Sequence, residues 1–387
     1  MRKAILAVQG PLQYLVGSIS MKWLVQSEYK TCYVEKVLVL FDLCVPESKE
    51  LEFAETIYQL ALGESWTKVL FISNSDMKKI NRTRISKRLK FIKEEIGLNN
   101  CDDLFVMRDF AFLGNQLLLN AYPNAQRITY GDSFGIVGDV NIFNKNLYEY
   151  IKRPLLIAKF IASSIIFGRY KTYSFDKAVL LLPQDWSGSY LDNIPLFIPE
   201  RSFVLNYILN VGCSINNLQE YCNSILQKTS GKKYLFLLSN FTNSGMMELD
   251  KEMNLYYEII LKYIESGSTI IFKKHPRCNL YLDDKVNQLI EKRYNIFYLD
   301  DNRFSSIPIE FFFPIISACE VISVYSASAL HLTYLYNKNV IMPLDDDLMD
   351  YFFSNAQVHI KKGNSMIVDS VKKLKIWDGN SILWKGK

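Results

Sequence analysis

Thr269-Ile270-Ile271-Phe272-Lys273-Lys274-His275-Pro276-Arg277 decides how this chain is read. An apolar, β-branched run ends in a basic turn closed by proline. Apolar runs without alternation suit strands covered on both faces, as in a parallel sheet flanked by helices. The same unit recurs outward from this stretch. Strands are expected at Ala4–Val8, Lys36–Phe41, Lys68–Ile72, Asp103–Val106, Arg127–Tyr130 and Ala178–Leu182, with a turn after the first. They are expected again at Tyr234–Leu238, Thr269–Lys273, Ile296–Tyr298, Val321–Val324 and Asn339–Met342. Helical patterns lie between them, at Leu51–Leu62, Arg84–Glu95, Met247–Ser266, Lys285–Tyr294 and Ala327–Leu335. This alternation predicts α/β architecture with doubly wound parallel sheets. The chain has 387 residues, and one core stops growing at roughly 250–300, so two domains are expected. Pro183, Pro195, Pro199 and Thr229-Ser230-Gly231 mark residues 183–232 as the connection, dividing 1–229 from 230–387.

Composition narrows the function classes. Hydrophobic residues make up 49% of the chain, which excludes general disorder. A net charge of +5 is too mild for a dedicated nucleic-acid binder. Seven cysteines, an odd number without a CxxC pair, indicate neither a disulfide framework nor a zinc ribbon. A reducing compartment fits best, and a cytoplasmic protein is expected. The basic start and short apolar run at Ala4–Val8 are cut off by Gln9, Gly10 and Pro11, too soon for a signal peptide. No uninterrupted apolar run is long enough for a membrane-spanning helix.

Ligands of doubly wound sheets bind outside the carboxyl ends of the strands, so polar residues there are the candidates. Tyr130-Gly131-Asp132-Ser133 follows one strand, and Asp132 there can act as a general base or simply form a turn. Lys273-Lys274-His275-Pro276-Arg277 follows another; Pro276 keeps His275 extended, and the cations suit a phosphate or a solvated turn. His275 is one of only three histidines and can donate a proton or hydrogen bond to a leaving phosphate. Ser323, Ser326 and Ser328 cross from a strand into a helix, where hydroxyls and free N–H groups make an anion site or a plain N-cap. His331, inside that helix, reads as packing or solvated. Ile307-Pro308-Ile309-Glu310 offers a carboxylate for ribose hydroxyls or for a helix dipole.

The order Gly131-Asp132-Ser133, then His275-Pro276, then Ser326-Ala327-Ser328 resembles the motif series of the bacterial sialyltransferases and polysialyltransferases. These are the enzymes that sialylate lipooligosaccharide, O-antigen and capsule. Pro11-Leu12-Gln13-Tyr14-Leu15 resembles their segment after the first strand, and Pro308-Ile309-Glu310 their Pro-x-Glu segment. The resemblance implies a GT-B fold, two Rossmann-like domains facing a central cleft. It also implies inverting, metal-independent transfer of sialic acid from CMP-sialic acid, with no cofactor, to a glycan or lipid-linked oligosaccharide. By this resemblance Asp132 is the catalytic base and His275 assists CMP departure. Lys274, Pro276, Glu310, Ser326 and Ser328 bind the donor, while Gln13, Gly131 and Ser133 line the acceptor side. Two departures stand out: Ser133 replaces the usual glycine, and the paired hydroxyls are split as Ser326 and Ser328.

Rival readings keep part of this picture. Kdo or another CMP-activated nonulosonic acid changes only the donor. Polyol-phosphate transferases also carry a His-Pro turn, and a glycan-binding protein without turnover would need no catalytic pair. Asp345-Asp346-Asp347 contains a DxD pattern that would hold a metal in a different transferase fold, or else open a helix. Residues 77–93 hold eight Lys or Arg and no acid, a solvated helix face or a patch for anionic lipid or glycan. Residues 152–171 are too short to span a membrane; they read as a buried helix or as a segment touching the inner face of the cytoplasmic membrane.

Overall fold

The computed structural model describes residues 2–107, 113–132, 175–183, 194–276, 278, 282–353 and 358–375. The chain divides into two compact units, one within Met1–Val204 and one within Leu205–Gly379. The helices Arg201–Ser214 and Leu218–Lys228 precede the second sheet, and the expected division at 229/230 falls just after them.

Among the described residues, the first unit carries β1 (Arg2–Val8), β2 (Tyr33–Leu40), β3 (Lys68–Phe71), β4 (Asp103–Val106), β5 (Gln126–Gly131), β6 (Lys177–Leu180) and β7 (Leu196–Phe197). All run parallel, in the order β3-β2-β1-β4-β5-β6-β7. The second unit carries β8 (Lys233–Leu237), β9 (Thr269–Lys273), β10 (Asn295–Tyr298), β11 (Glu320–Ser323) and β12 (Val340–Ile341). These too are parallel, ordered β10-β9-β8-β11-β12. Both units are therefore Rossmann-like, the domain content of a GT-B enzyme. In each sheet the direction of strand addition reverses beside the first strand, between β1 and β4 and between β8 and β11. Those reversals are the switch points at which such sheets hold ligands.

Burial explains the strand pattern. Ala4 to Val8 of β1 and all of β9 are buried, because helices cover both faces. In the second unit Phe236, Tyr256 and Phe272 pack as tilted and edge-on rings with centroids 5.4–6.1 Å apart. Such ring geometry stabilises beyond simple area burial.

The helix Pro11–Leu24 replaces the turn expected after β1. Tyr14 to Met21 are all buried, so the helix shows no polar face and no amphipathic period. Pro11 sits in its first turn, where a missing N–H costs nothing. Gly17 lets it lie close on the sheet: a Cβ there would come within 2.6 Å of Leu6 Cδ1 and 3.1 Å of Tyr130 Cζ. At the opposite, amino edge of the sheet, Arg2 grips buried Asp103 at 2.6 and 2.7 Å, and Tyr33 donates to it at 3.0 Å. No described helix is long and apolar enough to cross a membrane. Residues 152–171 lie outside the described residues.

Candidate functional site

In the second unit, the loops after β8, β9 and β11 meet at the switch point. Ser239 Oγ, just past β8, donates to the Tyr325 carbonyl at 3.5 Å, just past β11. Cys278 Sγ, in the turn after β9, donates to Ser239 O at 3.6 Å and Asn240 Oδ1 at 3.4 Å. Asn243 Nδ2 donates back to Cys278 Sγ at 3.5 Å. A buried carboxylate shapes the first loop from below. Glu252 accepts from the Phe241 and Thr242 N–H groups at 3.2 and 2.7 Å and from Tyr256 Oη at 2.5 Å. Tyr256 Oη in turn accepts from Ser239 N at 3.0 Å. Burial pushes the Tyr256 phenol well above its usual value, so it stays a neutral donor.

Lys274, His275 and Pro276 lie half-buried in the turn after β9, and Cys278 N donates to His275 O at 2.8 Å. Ser326 and Ser328 are half-buried at the start of the helix Ser328–Tyr336. Ser326 Oγ accepts from Ser328 N at 3.2 Å, a local turn leading into the helix that leaves the hydroxyl its own proton to donate. The two segments are thus brought to one sheet edge, with a helix N-terminus among them.

Lys273 departs from the expected basic cluster. The last strand residue points to the opposite face from Lys274, and Lys273 is buried. Its ammonium donates to the Ser305 and Phe304 carbonyls at 2.5 and 3.4 Å and stands 5.3 Å from the Phe312 ring centre. Carbonyl and π partners of this kind are what a buried cation needs. It therefore braces the segment leading to Pro308 instead of meeting a ligand. Arg277 lies outside the described residues.

Glu310 sits in a short 3-10 turn, Ile309–Phe311, and is only 1% exposed. Its Oε1 lies 2.6 Å from Nδ1 of His331, itself fully buried. The Tyr336 hydroxyl donates to the Glu310 carbonyl. His331 is thus more than packing: it joins the Pro-Ile-Glu turn to the helix carrying Ser328.

In the first unit, Gly131 is the buried last residue of β5 and Asp132 follows it half-buried at the sheet's carboxyl edge. The buried Tyr130 hydroxyl donates to the Ala7 carbonyl at 2.5 Å and ties β5 to β1. Gln13 is half-buried in the first turn of Pro11–Leu24, directly beyond β1. Ser133 lies outside the described residues. At this switch point Gln9 Nε2 donates to Asn115 Oδ1 at 3.2 Å, and both are fully buried. Asn115 Nδ2 donates to the Met107 carbonyl at 2.9 Å. Sequence reading missed Gln9, Asn115, Ser239, Asn240 and Asn243. Their signal was position: each follows an expected strand or opens the helix after it.

A family model described as alpha-2,8-polysialyltransferase (POLYST) matches residues 24–344. The chain belongs to this polysialyltransferase family. It is therefore a member of a sialyl-transferring glycosyltransferase family. No curated protein gives a significant sequence match. Among solved structures, UDP-GlcNAc 2-epimerase from Methanocaldococcus jannaschii is 13% identical, with a TM-score of 0.49 over 100% of this chain and 96% of that one. The Neisseria meningitidis UDP-GlcNAc 2-epimerase is 12% identical, with a TM-score of 0.49 over 96% and 94%. A spinosyn rhamnosyltransferase complexed with thymidine diphosphate is 10% identical, with a TM-score of 0.45 over 97% and 93%.

Two other signals in this polysialyltransferase-family chain resolve simply. Asp345 of the DxD pattern caps the helix Asp346–Phe352 through Leu348 N and pairs with Lys262 at 2.5 Å. Among the described residues no group of three or more His, Cys, Asp or Glu is arranged to hold a metal ion. The basic stretch 77–93 spans two helices, Asn74–Ile80 and Ile85–Ile96. Within it Lys78, Lys79 and Lys90 pair with Glu47, Asp76 and Glu94, and Arg88 is buried. Arg82, Arg84, Lys87 and Lys93 are exposed, as on a solvated helix face.

Proposed function

We propose that this protein transfers sialic acid from CMP-sialic acid to a hydroxyl of a bacterial surface glycan, with inversion and without a metal ion. The observation that carries the reading is the meeting of the His275-Pro276 turn and the Ser326–Ser328 helix start at one switch point, in a chain of the polysialyltransferase family. Asp132 accepts the proton of the acceptor hydroxyl. The freed oxygen attacks the anomeric carbon from the face opposite CMP, and the bond to CMP breaks with its electron pair passing to the phosphate. CMP leaves as a phosphate monoester with a second pKa of about 6, so it needs charge stabilisation more than full protonation. His275, Lys274, the Ser326 and Ser328 hydroxyls and the helix N-terminus supply it, and each well-placed donor is worth roughly 3 kcal/mol of barrier. Glu310, buried against His331, does not meet the ribose itself but positions the helix that carries Ser328, and Pro276 keeps the His turn extended. Gln13, Gly131 and Ser133 belong to the acceptor side.

The test is CMP release from CMP-sialic acid by purified protein in EDTA, without acceptor. Slow release that disappears in His275→Ala is the expected result. An EDTA-abolished activity, or neither CMP release nor a CMP-induced rise in melting temperature, overturns the assignment. CMP-Kdo and other CMP-nonulosonic acids in the same assay decide the sugar.

A further inference from the structure

Tyr325 lies in the short connection from β11 to the helix Ser328–Tyr336, directly before Ser326. It is half-buried, and its ring rests tilted on Phe241 with centroids 5.7 Å apart. Phe241, buried in the loop after β8, meets Phe353 edge-on at 5.1 Å. The Tyr325 carbonyl accepts from Ser239 Oγ. Ring and carbonyl of one residue thus join the loops after β8 and β11, and the next residue carries the Ser326 hydroxyl.

The far edge of the ring meets the helix Val358–Lys375. This helix packs along Ser328–Tyr336 and buries one face, Ile360, Asn364, Ile367, Val371 and Leu374. Gly363 lies in its interior. Glycine is the poorest helix former after proline, so such a residue calls for a local cause. The cause here is steric. A Cβ on Gly363 would stand 2.3 Å from Tyr325 Oη, but 3.4 and 3.6 Å from Cζ and Cε2 of the same ring. The phenol oxygen alone is in the way. Neither side retreats easily. Asn364 Nδ2 donates to the Leu344 carbonyl at 2.9 Å and anchors the helix, while Phe241 backs the ring. A displaced ring must therefore carry the backbone of Tyr325 and Ser326 with it.

We propose that Tyr325 is a positioning residue: the helix Val358–Lys375, through the bare surface of Gly363, holds its ring against Phe241 and so sets the Ser326 hydroxyl and the start of the Ser328 helix toward CMP. The role rests on the donor phosphate binding at this switch point. Titration calorimetry with CMP, and hydrogen exchange of the CMP-free full chain, test it in the wild type, Gly363→Ala, Tyr325→Phe and the double variant, each below its melting temperature. Gly363→Ala should weaken CMP binding by about tenfold or more. It should also speed amide exchange at Ser328 and Ala329, whose N–H groups bond to Ser326. Tyr325→Phe keeps the ring on Phe241 and should bind CMP as the wild type does. The double variant has room for the methyl group and should recover both affinity and protection. Wild-type CMP affinity in folded Gly363→Ala, unchanged exchange there, or a double variant no better than Gly363→Ala overturns the positioning role. Loss and recovery of protection in a protein that binds no CMP would instead refute the donor reading and leave the hold on the Tyr325 loop standing.

Discussion

Replacing His331 with leucine tests the polar brace beneath the proposed donor site. Leucine fills most of the imidazole's space, so little cavity forms. What remains is a Glu310 carboxylate, 1% exposed, stripped of its 2.6 Å partner. Leaving a buried polar group without its hydrogen-bond partner costs about 1–3 kcal/mol. For a unit of this size a kcal/mol moves melting by roughly 2–4 °C, so at a cost of about 1–3 kcal/mol His331→Leu should melt about 2–12 °C lower. The double variant Glu310→Leu/His331→Leu removes both polar groups, and such exchanges are often neutral. It should recover most of the loss, a strongly non-additive cycle. The same proteins report on function: at a temperature where His331→Leu is folded, CMP affinity should fall, because the pair holds the Ser328 helix against the Pro-Ile-Glu turn. The assay is thermal unfolding with and without CMP across the four proteins. Unchanged melting in His331→Leu, or a double variant that loses the sum of the singles, would refute the brace.

Asp132→Asn and His275→Ala should each lower sialyl transfer by about 10²-fold or more, with melting unchanged because both side chains lie at a sheet edge and not in a core. Gly114→Ala should destabilise the first unit by about 1–3 kcal/mol in urea unfolding, from overlap with the Phe41 ring; wild-type stability would contradict the close packing. Burial raises the folded-state pKa of Asp42 above its ordinary 3.8, so the folded state holds that proton more tightly than the unfolded one. Its contribution is complete below the unfolded value and lost as pH rises through the folded one. The stability of the wild type relative to Asp42→Asn should therefore decline as pH rises above 3.8, and a flat difference across an unfolding series would count against it.

Much of the architecture was legible because buried parallel strands advertise themselves. All eleven expected strands recur, Asp103–Val106 and Thr269–Lys273 with the same bounds. β7 escaped notice because it is two residues long between Pro195 and Pro199, with no period to read. Pro11–Leu24 escaped because a helix buried on nearly all sides loses its amphipathic pattern. Of the candidate site, the His-Pro and Ser-Ala-Ser segments stood out by composition at strand ends. Ser239, Asn240 and Asn243 carry equally ordinary turn residues, and only adjacency to those segments marks them.

By itself, then, the sequence determined the class of fold, the polar residues at several strand ends and the family, because each is written in contiguous residues. Only the tertiary structure decided which side chains face a ligand and which face the protein. Lys273 and Lys274 are neighbours in the chain, yet strand alternation turns the first inward onto the carbonyls of Phe304 and Ser305. Glu310 and His331 are 21 residues apart, and packing alone makes them a pair. Asp42 is one acid among many until the backbone N–H of a glycine 72 residues away donates to its carboxylate at 2.6 Å. A contact between distant residues is a property of the folded chain, and no local pattern encodes it.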